Sequence, residues 1–180
     1  MKKTHIYLIF SVIVLSCANN KFDPDKLNDA SLFHSAMQNL SDIIVYDIFS
    51  PPVASRVYLY PSIAAYELLA KNIPLKYKSL VGQVKDLTPI PEPEEDFKNY
   101  NLNLTVLYAF NKVGKTLIFS DELMNKFEKR FDIKLNSIGI PRNIKIASKK
   151  YAEKVANHIL NWAKNDLYNQ TRTYPKYTIL

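Results

Sequence analysis

Apolar residues recur along most of this chain at steps of three and four, the period of one face of a helix. Phe33, Met37, Leu40, Ile44 and Ile48 keep that spacing and predict a helix over 32–49, with Asp29 placed to cap its start. Ser50-Pro51-Pro52 ends it and opens the next, since serine caps well and proline is tolerated in a first turn. The second helix, 53–70, carries Val57, Leu59, Ile63, Ala64 and Leu68. Pro61 lies inside it and is expected to kink or interrupt it, because proline donates no hydrogen bond and clashes with the preceding turn. An apolar helix follows at 102–119. Ser120-Asp121-Glu122 then opens a helix to about residue 137, with Leu123, Phe127, Phe131 and Leu135 on one face. The longest helix, 142–165, has the stripe Ile144, Ala147, Tyr151, Val155, Ile159 and Trp162, and a lysine-bearing face of Lys145, Lys149, Glu153 and Asn157. Residues 73–96 read as loop, with prolines at 74, 89, 91 and 93 and a helical turn or two expected within 79–87. The expected fold class is all-α, a bundle of about five main helices.

The first twenty residues follow a different pattern. Lys2 and Lys3 precede the ten-residue apolar run 6–15, long enough for the core of a secretory signal and too short to span a bilayer. The run stops at Val14-Leu15-Ser16-Cys17. This resembles a bacterial lipoprotein signal, in which a small residue precedes a cysteine that is lipidated and becomes the new N-terminus. Leu15 is bulkier than the residue most often found there, and the alternative is an ordinary cleaved signal. Cys17 is the only cysteine of the chain, and it sits where that chemistry requires one. The expected organisation is a signal over 1–16, a tether over 17–28 and a helical domain over 29–180. The implied location is the cell envelope, facing the periplasm or on the outer membrane, with the membrane as partner through acyl chains at Cys17.

Composition narrows the chemistry. Of 180 residues only 3 are glycine, and Gly82, Gly114 and Gly139 stand far apart, which excludes glycine-rich phosphate loops. Gly114-Lys115-Thr116 looks like the end of such a loop, but position 109 is alanine where a glycine is needed and the preceding residues read as helix. One cysteine excludes a disulfide framework and multi-cysteine metal sites. The three histidines, His5, His34 and His158, share no metal-ligand spacing, so no metal residue is assigned. The acids at 92–96 lie among prolines without the pattern of a calcium loop. Residues 121–180 hold 12 Lys/Arg against 6 Asp/Glu, but the lysines of the longest helix alternate with Glu153 and asparagines without exposed aromatics between them. A solvated face is the expectation there, and nucleic acid is not an expected partner. Read from its residues alone, the chain presents no active site.

The stretch Ser50-Pro51-Pro52-Val53-Ala54-Ser55-Arg56, followed by Ile63-Ala64-Ala65-Tyr66-Glu67, resembles the N-terminal helices of the vanadium-dependent haloperoxidases, a group related to type-2 phosphatidic acid phosphatases, and in particular lipoproteins of that group. Ser79-Leu80-Val81-Gly82-Gln83, the segment 109–115 and Thr171-Arg172-Thr173-Tyr174-Pro175 also fit. The resemblance implies the N-terminal half of that fold. The family's chemistry resides in a lysine, an Arg-Pro arginine, a Pro-Ser-Gly-His segment and a later histidine that holds vanadate or attacks phosphate. Arg56, Arg130, Arg142 and Arg172 all lack a following proline, and Pro61-Ser62 continues as Ile63-Ala64. No catalytic and no cofactor-binding residue is therefore carried over, and vanadate belongs to a full-length parent, a haloperoxidase or a phosphatase.

Two readings follow: a fragment inactive by itself, whose partner is a missing C-terminal catalytic half, or a self-sufficient helical lipoprotein acting as a binding or scaffold module. Arg56, in a mostly apolar helix, either pairs with a buried acid or reaches toward the missing site from behind it.

Overall fold

The computed structural model describes residues 22–173, and the expectations for the signal and for Cys17 lie outside them. Among the described residues there are six α-helices: α1 (Ala30–Tyr46), α2 (Pro51–Asn72), α3 (Leu102–Leu117), α4 (Asp121–Ser137), α5 (Arg142–Asn165) and α6 (Tyr168–Thr173). No strand is present among them, so the chain is all-α as expected.

α3 is the centre of the bundle and packs most extensively on α2 and α5. Its sequence explains that position, since Leu104, Val106, Leu107, Ala109, Phe110, Val113 and Leu117 are buried around nearly its whole circumference. So wide a buried face needs neighbours on more than one side, and Lys112 and Thr116 are left exposed. α4 and α5 bury the expected single stripes, through Phe127, Phe131 and Leu135 on α4 and Ala147, Tyr151, Val155, Ile159 and Trp162 on α5.

Four boundaries differ from the sequence expectation. α2 runs unbroken through Pro61. The ring is buried against α3, where it faces Gly114, and Ser62 Oγ donates to the Tyr58 carbonyl at 2.8 Å. Packing of the ring thus outweighs the lost backbone bond. α1 stops at Tyr46, three residues early, because Ile48 takes a left-handed φ of 53°. Residues 79–87 form turns rather than helix. The last part of the segment expected as tether is packed: Pro24–Asn28 forms a 3-10 turn whose Leu27 is buried in the core.

Side-chain caps secure the starts of α1 and α3, whereas Ser50 and Ser120, expected to open α2 and α4, make no side-chain cap bond. Asp29 accepts from the Ser31 hydroxyl at 2.6 Å and from the Ser31 N–H at 2.9 Å, capping α1, and these two bonds hold its carboxyl below the usual value. Asn101 caps α3 through the Leu104 N–H at 3.0 Å. Asp47 accepts from the N–H groups of Phe119 (2.8 Å) and Ser120 (3.2 Å) and from the Ser120 hydroxyl, tying the end of α1 to the start of α4.

The long loop is pinned rather than free. Tyr151 Oη donates to the Pro91 carbonyl (3.1 Å), Trp162 Nε1 to the Lys85 carbonyl (3.0 Å), and Leu87 and Ile90 are buried beneath it.

Candidate functional site

Arg56 and Tyr60 stand one turn apart on α2, so both reach the turn between α5 and α6. Arg56 Nη1 donates to Thr171 Oγ1 at 2.8 Å. Its Nη2 donates to the Asp166 carbonyl at 2.5 Å and pairs with the Asp166 carboxylate. Tyr60 Oη donates to the same carboxylate at 2.8 Å, and its ring meets Trp162 and Tyr168 edge-on. Burial, then the bond to Asp166, pushes the Tyr60 hydroxyl far above its ordinary value, so it stays a donor.

The expectation of a buried acid needs correcting. The Asp166 side chain is 42% exposed, because it sits at the C-cap of α5 in a surface turn. The guanidinium thus ties α2 to the α5–α6 turn, and its main donors are already engaged by protein.

The other sequence candidates are equally occupied. Lys115 donates to Asn125 Oδ1 and Glu128 Oε2, both at 2.6 Å, inside α3 rather than in a phosphate loop. His158 Nε2 lies 3.0 Å from the Thr88 carbonyl. A carbonyl only accepts, so Nε2 carries the proton and the ring braces the loop. In the acidic cluster Glu92 pairs with Lys71 and Glu95 with Lys98 at 2.7 Å. Lys149, Lys150 and Lys154 on α5 face solvent.

His34, Arg130 and Lys134 share an open groove between α1 and α4 with Ser35 and Gln38. This is where imidazole and cations come together, yet all three side chains are exposed. Stabilising an oxyanion through a reaction requires preorganised donors in a site shielded from water. In this groove the exposed imidazole and cations do not form such a shielded set. Among the described residues no group of three or more His, Cys, Asp or Glu side chains could hold a metal ion, and no helix is long and apolar enough to cross a membrane.

Two polar residues that the sequence reading passed over are buried. Glu67 is 2% exposed and accepts from Ser79 Oγ and the Leu80 N–H, both at 2.7 Å, fixing the start of the 79–84 turn. Its signal was available: an acid within the apolar run 63–70. Asn111 lines a cavity of about 160 Å³ between α3, α4 and α5. There its Oδ1 and the Tyr108 hydroxyl are buried without a protein partner.

No protein-family model and no curated protein matches the chain. Among solved structures, it is similar to the crystal structure described as the first bacterial vanadium-dependent iodoperoxidase, with 37% sequence identity and a TM-score of 0.72. The match covers 89% of this chain and 36% of that one, so the chain spans about a third of that protein's length. Over nearly nine-tenths of its own length the chain therefore carries part of the vanadium haloperoxidase fold.

Proposed function

We propose that this chain is the N-terminal helical part of a haloperoxidase- or acid phosphatase-like envelope lipoprotein, anchored through Cys17, and that by itself it turns over neither halide nor phosphoester. One observation carries the reading: the fold matches over 89% of this chain but 36% of the iodoperoxidase. The missing Arg-Pro and Pro-Ser-Gly-His segments agree with it, as does the engagement of Arg56 by Asp166 and Thr171. Its role in this reading is architectural. It supplies a packed helical platform against which a catalytic half closes, and the acyl chains hold that platform on a membrane.

The test is an assay of the purified chain with vanadate, peroxide and iodide, and separately with a phosphomonoester. The expected result is no turnover above buffer, and measurable turnover of either kind overturns the reading. Mass spectrometry of chain isolated from membranes tests the anchor; the expected species begins at a triacylated or diacylated Cys17.

A second reading, a self-sufficient binding or scaffold module, is favoured by the continuity of the core, which joins α1 to α6 without a break. It predicts a monodisperse monomer that melts in one cooperative transition.

A further inference from the structure

The end of α1 breaks two local rules at once. Ile48 holds a left-handed φ of 53°, where glycine and asparagine are favoured and a β-branched side chain is strained. It is also 86% exposed, so no burial within the described residues offsets that strain. Its neighbours Val45 and Tyr46 are 75% and 68% exposed. Phe119, tied to this corner through its N–H bond to Asp47, is 62% exposed and stacks on Phe49 with ring centres 4.9 Å apart. Single exposed apolar residues are normal, as Ile133 and Ile146 are here. Four at one corner, one of them in a strained conformation, mark a surface that another body covers.

We infer that this corner docks the catalytic part of a haloperoxidase-type fold; the inference rests on the reading proposed above. The occupant follows from the part of the fold that the match leaves out. Nearly two-thirds of the related iodoperoxidase lies outside the match, and that length must pack somewhere on the matched part. The corner also includes a face of α6, whose Arg172 guanidinium lies 4.0 Å from the centre of the Phe119 ring. An apolar surface on the catalytic part covers Ile48 and Phe119, and the burial it gains offsets the strain at position 48.

The full chain, tagged, is co-expressed with the portion of the iodoperoxidase that the match leaves out, and the complex is recovered on the tag. Co-purification is expected, reduced about tenfold or more by Ile48→Asp or Phe119→Asp and unchanged by Ile133→Asp toward the far end of α4. Ile48→Asn separates docking from folding. It relieves the left-handed strain, so the melting temperature of the chain alone rises while co-purification falls. Failure to co-purify overturns the inference, as does a complex indifferent to the substitutions at 48 and 119. Self-association of the chain abolished by those substitutions also overturns it, assigning the corner to a second copy. None of these outcomes touches the activity assay, so docking can fail while the inactive-part reading stands, and the reverse.

Discussion

Arg56 and Glu67 stand three turns apart on α2, and each holds a different piece of chain against it. Glu67 is fully enclosed and takes two donors from the 79–84 turn, whereas Arg56 is a fifth exposed and reaches out to a turn on another helix. The exposure of Asp166 discounts the ion pair itself, so the value of Arg56 lies in its bonds to the Thr171 hydroxyl and the Asp166 carbonyl. Arg56→Ala is expected to cost about 1–2 kcal/mol in urea unfolding and to speed proteolysis in the α5–α6 turn. Arg56→Lys recovers less than half of that, because one ammonium cannot span both partners as the planar fork does. Unchanged unfolding in Arg56→Ala would show that the arginine is not a structural tie and would return it to the role of a group directed at chemistry.

The α2–α3 crossing depends on one glycine and one proline. A Cβ placed on Gly114 would lie 3.2 Å from Leu40 Cδ1 and 3.8 Å from Pro61 Cγ, and Leu40 is completely buried. Gly114→Ala gains about 1 kcal/mol of helix propensity but crowds a side chain with nowhere to go, for a net loss of about 1 kcal/mol. Adding Leu40→Val should recover most of that loss, a coupling that a double-mutant cycle measures; purely additive effects would show that the two residues do not press on each other.

This crossing also marks where the sequence was and was not legible. α4 and α5 each bury one face, so their apolar stripes identified them and their limits. α2 was read as broken because the rule for Pro61 concerns the backbone alone, whereas the compensating contact is 53 residues away at Gly114. The end of α1 was misplaced because Ile48 fits the helical period yet adopts a left-handed turn. Glu67 is legible as an acid within an apolar run, whereas Asn111 is not, since only the fold shows that this amide of α3 faces inward.

At the scale of the whole molecule, tyrosine burial sets the response to alkali. Burial is the largest cause raising the hydroxyls of Tyr60, Tyr108 and Tyr151 far above the ordinary value of 10.0, and it raises Tyr100 and Tyr168 as well. Below pH 10 these groups carry their protons in both the folded and the unfolded chain and contribute no pH dependence. Above it the unfolded chain releases protons that the folded chain keeps, so stability falls as pH rises. The melting temperature, followed by helical circular dichroism, should be flat from pH 8 to about 10 and then decline. The tyrosine contribution is isolated by substitution. Tyr108 is the informative position, because its buried hydroxyl has no protein partner and Tyr108→Phe removes no protein hydrogen bond. The phenylalanine variant should be more stable by about 1 kcal/mol at neutral pH, since a desolvated hydroxyl is gone. Its decline above pH 10 should be shallower, since one fewer proton is withheld by the folded state. A variant with an unchanged alkaline slope would mean that the Tyr108 hydroxyl ionises as readily in the folded bundle as in the unfolded chain, and that the cavity between α3, α4 and α5 is open to solvent.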